Sequence, residues 1–239
     1  RLGWLCDEGH RTEAADAIAA VCALPGLEVE GIYTHFANAD GDEAYTMGQF
    51  TRFLELLSEL EGRGITFPIR HCAASAAVLK YPCTHLDMVR PGVALYGHYP
   101  DPSCEGLDGV GLRPVMALKT RVASVKAVPA GTPVSYGCTH VLERDAELAA
   151  LTVGYADGLP RLCSDRLEVL IRGQRAPIVG RVCMDMCMAD ATGLGAAPGD
   201  EVELFGEHLP VEDAAALAGT IQYELLCAVS PRVPREYLN

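Results

Sequence analysis

Arg90 closes a short apolar run in the stretch Asp87-Met88-Val89-Arg90-Pro91-Gly92-Val93-Ala94-Leu95-Tyr96-Gly97, and the chemistry this spacing allows is recognition of a phosphate. Pro91 removes a backbone donor and Gly92 permits a sharp turn, so the segment reads as a buried strand that breaks just after its arginine. The break frees the amides of Gly92 and Val93 ahead of a short apolar segment, which makes an anion cradle. The guanidinium of Arg90 then faces whatever carries the anion. A core strand with a turn and a surface arginine accounts for these residues equally well.

Four further contexts frame polar groups with glycine or proline: Val134-Ser135-Tyr136-Gly137, Gly154-Tyr155-Ala156-Asp157-Gly158, Gly180-Arg181-Val182-Cys183-Met184-Asp185 and Tyr223-Glu224-Leu225-Leu226. A buried tyrosine beside cations gives up its proton more readily and can serve as an acid or base. Packing is the simpler explanation of each taken singly.

The elements that must position these residues follow from periodicity. Residues 12–23 have helical apolar spacing with Thr12 placed to cap, and Pro25-Gly26 ends them. A strand at 29–36 delivers Thr34-His35-Phe36 into a loop that carries Asp40. Residues 45–63 form an amphipathic helix with Met47, Phe50, Phe53, Leu54 and Leu57 on one face and Arg63-Gly64 as its stop. A strand at 67–71, a small-residue loop Cys72–Ser75 and a helix to Leu79 lead into the Arg90 strand. This is a series of βαβ units with parallel strands, whose carboxyl ends hold His35, Ser75 and Arg90. After a Gly-, Asp- and Pro-rich linker at 101–111, β-branched runs take over at 116–128, 147–153, 168–171, 178–188 and 201–205, separated by turns such as Arg172-Gly173-Gln174. Helices near 211–219 and 222–229 close the chain. The expected fold is therefore α/β plus β. Residues 1–110 form an incomplete (β/α)8 TIM-type barrel of about three C-terminal strands, and residues 111–239 a mainly β C-terminal domain. A whole barrel of this type needs roughly 250 residues.

A net charge of -13 over 239 residues argues against nucleic acid or an anionic membrane as partner and favours a small-molecule substrate. The ten cysteines are scattered singly through apolar segments, as free thiols are in a reducing cytoplasm. The spacing of Cys183 and Cys187 does not make a zinc site, so no metal is expected. No apolar run is long enough to span a membrane in this segment. The chain starts at Arg1 rather than Met, which points to residues upstream.

Together and in this order, these motifs closely resemble the carboxyl-terminal two-thirds of a bacterial alanine racemase, a fold-type III family that uses pyridoxal 5'-phosphate. The resemblance runs through Thr34-His35-Phe36-Ala37-Asn38-Ala39-Asp40, His71-Cys72-Ala73-Ala74-Ser75-Ala76-Ala77, the Arg90 stretch, the four contexts above and Ser230-Pro231-Arg232-Val233-Pro234-Arg235. It implies an enzyme that interconverts L- and D-alanine, supplies D-alanine for the cell wall and works as a homodimer with shared active sites. It implies that Ser75, the amides of Gly92 and Val93, and Tyr223 bind the cofactor phosphate, and that Arg90 faces the pyridine nitrogen. Tyr136, contributed by the partner subunit, is then the base on one face of the substrate. His35 lies between Arg90 and Tyr136 in a hydrogen-bonded chain that eases loss of the phenol proton. Arg1 and the amide of Met184 contact the substrate carboxylate. Tyr155, Tyr223, Asp40, Arg161 and Arg181 line the access corridor, with a solvated surface role left open for the two arginines. Asp157 and Asp185 orient their neighbours.

One departure stands out. The family's second base is the lysine that holds the cofactor covalently, and neither it nor the tyrosine that follows it is present. The lysines are Lys80, Lys119 and Lys126, none in a suitable context. The expectation is a truncated racemase without its first five barrel strands and without the modified lysine that supports the arginine matched by Arg1. Two alternatives stay open: a serine racemase of the vancomycin-resistance type, against which the apolar Met184 tells, and a non-catalytic remnant that serves in dimerisation.

Overall fold

Parallel pairing organises the first part of the chain. In the computed structural model, which describes residues 3–109 and 111–238, contacts divide the molecule into a unit at Arg1–Arg113 and another at Pro114–Asn239. Arg1 lies outside the described residues. The first unit runs α1 (Arg11–Cys22), β1 (Gly31–Tyr33), α2 (Glu43–Gly62), β2 (Ile69–Ala74), α3 (Ser75–Lys80) and β3 (Met88–Arg90). Its three strands pair in parallel in the order β1-β2-β3.

Helix α2 is fixed at both ends. The Asp42 carboxylate accepts from the Tyr45 amide, and at the other end Gly64, at φ +78°, lets the Ile65 and Gly64 amides reach the carbonyls of Leu60 and Glu61. Its buried stripe is Thr46, Phe50, Phe53, Leu56 and Leu60. Leu54, expected on that stripe, is exposed, because a residue next to Phe53 in sequence points about 100° away around the helix. Helix α1 starts without Thr12 as its cap; Asp7 instead accepts from the amides of Gly9 and His10 ahead of the first turn. Strand β1 is shorter than the expected 29–36, and β2 is longer than 67–71. It takes in the supposed loop because Cys72 and Ala73 are fully buried and small enough to pack under the neighbouring helices. The segment expected as a linker is folded against the first unit, with Cys104 buried and Ser103 bonded by Lys80.

The second unit is built on a closed antiparallel barrel. Its strands are β4 (Leu118–Val128), β7 (Ala146–Leu151), β8 (Glu168–Ile171), β9 (Gln174–Val179), β10 (Cys187–Asp190) and β11 (Glu201–Phe205), ordered β10-β7-β4-β11-β8-β9. A separate two-residue ribbon joins β5 (Pro133–Val134) to β6 (His140–Val141). Helices α4 (Val211–Leu217) and α5 (Gln222–Ala228) follow, and Val211, Ala214, Ala215 and Leu225 join the barrel core around Leu151, Ile171 and Val202. The Arg172-Gly173 turn takes positive φ at both residues (53° and 75°), which suits a tight hairpin between β8 and β9. The run expected as one strand at 178–188 is instead two strands and a loop. Gly180 turns the chain at φ +75°, and residues 180–186 leave the barrel wall before β10 begins.

That loop packs closely on another. Cys183 and Met184 accept through their carbonyls from the amides of Tyr155 and Ala156, and Gly154 runs so near that a Cβ there would lie 2.3 Å from both carbonyl oxygens. Backbone offers no cheap retreat. Gly154→Ala is expected to destabilise the second unit by about 3 kcal/mol through overpacking, read as a lower urea midpoint; an unchanged midpoint would mean that the two loops are not in contact.

Candidate active site

Arg90, the last residue of β3, is brought by parallel pairing beside the carboxyl ends of β1 and β2, where Tyr33 lies opposite His71 and Ala74 opposite Arg90. Its guanidinium donates to His71 Nδ1 (2.5 Å), His35 Nδ1 (3.1 Å), the Thr34 carbonyl (3.2 Å) and the Cys72 carbonyl (3.3 Å). It also lies 5.1 Å from the centre of the Tyr33 ring, which stacks on His71. An arginine is always a donor, so both Nδ1 atoms accept, and each neutral ring carries its proton on Nε2. Burial, then the nearby Arg90 charge, pushes the His71 pKa below its ordinary 6.5. Burial pushes the Cys72 thiol up to about 11, where it donates to the Thr84 carbonyl and is not a nucleophile.

Ser75 opens α3 and is 4% exposed. Its Oγ accepts from the amides of Gly92 (2.8 Å) and Ala94 (3.3 Å). The Gly92 amide is therefore not free, contrary to the sequence reading: the turn spends it on the serine hydroxyl. Val93 begins a 3-10 turn, whose first N–H has no partner inside the turn. Asp40 is exposed, and its carbonyl accepts from Lys80.

In the second unit, Tyr136 sits between the two strands of the β5–β6 ribbon and is 74% exposed. The Arg181 Nε donates to its carbonyl at 3.1 Å, which ties the ribbon to the 180–186 loop that holds Met184. Tyr155 follows Gly154 and joins the same loop through its amide. Asp157 and Asp185 are bridged by Arg232, whose guanidinium donates to each at 2.7 Å. Asp157 also accepts from the Gly154 amide. Burial opposes its charge, but the bonds from Arg232 and Gly154 prevail and hold its carboxyl below the ordinary range. Thus Tyr136, Tyr155, Arg181 and Met184 belong to one set of cross-tied loops. Arg161 is exposed in a 3-10 turn, and Tyr223 stands on the first turn of α5.

Four residues given no role from sequence take part here: Tyr33, His71, Arg232 and Ser135, whose Oγ donates to the Arg181 carbonyl. His71 could have been found from the strand registry, since it follows β2 to the level of Thr34-His35. Arg232 could not, because nothing local links it to aspartates 75 and 47 positions away.

Comparison with known proteins meets this geometry from the other side. Residues 6–100 match the model of the alanine racemase N-terminal domain, and residues 115–237 that of the alanine racemase C-terminal domain. The chain is 51% identical over its whole length to an alanine racemase of Desulforamulus reducens, of which it covers 64%, and 45% identical over its whole length to one of Methanococcus maripaludis, of which it also covers 64%. Among solved structures, it is similar to the alanine racemase of Clostridium difficile 630 in complex with cycloserine (36% identity, TM-score 0.89, covering 98% of this chain and 62% of that one). It is equally similar to that of Bacillus anthracis with bound L-Ala-P (36% identity, TM-score 0.90, covering 96% and 60%). The chain spans less than two thirds of the length of these relatives. With one domain model matching more than half of its residues and a second matching most of the remainder, the chain belongs to the alanine racemase family.

Proposed function

We propose that this chain is part of an enzyme that interconverts L- and D-alanine with pyridoxal phosphate. The observation that carries the reading is the fastening of Arg90 by two neutral histidines and two carbonyls at the ends of three parallel strands, beside the Ser75 turn. The residues present fit the cofactor. The Ser75 Oγ accepts from two amides and so keeps its own proton to donate. With the Val93 amide it makes a phosphate site, in which Gly92 serves to hold the serine. When bound, the cofactor supplies an electron sink that acidifies the α C–H of an amino acid.

The chain's own residues set how strong that sink is and where the proton goes. Arg90 cannot surrender a proton, so a ring nitrogen facing it stays unprotonated, which restrains side reactions. Tyr136 takes or returns the α proton at its Oη on one face of the substrate. Its exposure supports a homodimer in which Tyr136 of one copy completes the Arg90–His35 cluster of the other. The amide of Met184 contacts the substrate carboxylate, and its apolar side chain favours a methyl over a hydroxymethyl group. Asp40, Tyr155, Arg161, Arg181 and Tyr223 line the approach.

The lysines of this chain do not supply the second base. Lys80 donates to the Asp40 carbonyl and Ser103 Oγ, Lys119 pairs with Glu201, and Lys126 is exposed on β4. In this reading, residues outside these 239 provide it. All ten cysteines are free thiols, which fits a reducing compartment such as the cytoplasm; no helix among the described residues is long and apolar enough to cross a membrane.

In the whole protein that contains this chain, loaded with pyridoxal phosphate, Tyr136→Phe is expected to slow alanine racemisation by about 10²- to 10⁴-fold, followed as loss of circular dichroism from either enantiomer. An unaltered rate excludes Tyr136 as a base. A second expectation concerns His71. Because its folded pKa is depressed, the unfolded chain binds more protons, so this group's share of stability is full above 6.5 and is lost as the pH falls from there through the depressed value. Its imidazole resonances should titrate below 6.5, and Arg90→Gln should raise the midpoint only in part, since burial is the larger cause. A midpoint above 6.5 in the native protein would show that Arg90 is not held by a neutral ring.

A further inference from the structure

The geometry points to Ser135 as a positioning residue for Tyr136, one that fastens the tyrosine's loop to the Arg181 carbonyl from a backbone conformation normally reserved for glycine. This inference rests on the reading of Tyr136 as a base. Ser135 has φ 64° and ψ -173°, a region that side chains avoid and that persists only where the surroundings impose it. Its Oγ donates to the Arg181 carbonyl at 2.9 Å and lies 3.4 Å from Cys183 Sγ. One residue on, the Arg181 Nε returns a bond to the Tyr136 carbonyl. The two segments are thus joined twice, in opposite senses, on either side of one peptide unit.

The surroundings are built for this contact. Gly180 lies so close that a Cβ there would fall 2.8 Å from Ser135 Cβ and 2.9 Å from the Val134 carbonyl oxygen. Its amide donates to Asp165, which also meets His140 Nδ1 at 2.8 Å, and the amide of Val182, two residues on, donates to Ser164 Oγ. Residues 164–165 therefore hold 180–182, and 180–182 hold 135–136. The ribbon that carries Tyr136 pairs Pro133 with Val141 and Val134 with His140, and Leu142 exchanges backbone bonds with Gly131 and Thr132, a short ladder that leaves the loop at its tip to be held from outside. Glycine would take the Ser135 backbone conformation without strain but would offer no hydroxyl and a looser chain. A serine at this φ and ψ says that the anchor matters more than the strain.

The test compares Ser135→Ala and Ser135→Gly in the whole, cofactor-loaded protein, the glycine variant guarding against misfolding because it suits the backbone. Amide exchange of 133–142 should quicken by about tenfold in both, as expected for loss of one hydrogen bond, while 168–179 on β8 and β9 keeps its protection. The turnover kcat should fall by about a hundredfold with KM moved by less than about twofold. The isotope effect from α-deuterated alanine should rise for one enantiomer only, the one whose proton meets the tyrosine. Unchanged exchange at 133–142 would overturn the inference. So would faster exchange with normal kcat and isotope effects while Tyr136→Phe is inactive; the tyrosine would then remain the base without needing this anchor. An active Tyr136→Phe enzyme would remove the base reading itself, and the inference with it.

Discussion

A guanidinium at the end of a sheet must have its donors satisfied, and that requirement shapes the first unit. The N–H groups of Arg90 cannot be left without acceptors, and its charge cannot be removed by deprotonation. The carbonyls of Thr34 and Cys72 accept from the arginine. These contacts fall where β1 has ended at Tyr33 and where the β2–β3 register shifts between His71 and Ala74. The demand reaches the imidazoles as well, since only a neutral ring offers Nδ1 as an acceptor. A single fixed charge thus sets two tautomers.

The second unit meets the opposite problem. Its barrel closes on itself and leaves no sheet edge to extend, and the residues proposed for its chemistry stand on loops. Loops left alone are mobile, and here they are cross-tied instead. Arg232 bridges Asp157 to Asp185, Gly154 lets two backbones approach, and Ser135 and Arg181 exchange bonds. An exposed ion pair alone contributes little. Asp157 is better placed, because its carboxylate is nearly buried and is also bonded to the Gly154 amide.

Much of this was legible in the sequence because the signals are local. Proline and glycine after Arg90 announced the end of β3, and alternating βαβ periodicity announced a parallel sheet with His35, Ser75 and Arg90 at one end. What escaped depends on distance along the chain. The Gly92 amide looked free because its acceptor, Ser75, lies 17 residues earlier. The run at 178–188 looked like one strand because Ile178, Val179, Val182 and Met188 are all apolar, and only Gly180 marked the point where the chain leaves the barrel. Ser135 gave no warning, since a serine is unremarkable until its φ is known.

In the proposed racemisation, a proton moves to and from carbon, and each unit carries different residues of that proposal. On the parallel strands the charged donor is committed: Arg90 is fastened by four acceptors, His71 Nδ1 is one of them, and Cys72 keeps its proton. Such a cluster can hold and polarise a bound group, but it offers no base whose proton affinity suits a carbon acid. In the proposed reaction that part falls to the phenol of Tyr136, whose short ribbon has to be held from outside for a proton transfer to be precise. The strained serine before it resolves the conflict by trading conformational ease for position. The place where the chain is least comfortable is thus the place where the proposed reaction needs the greatest precision.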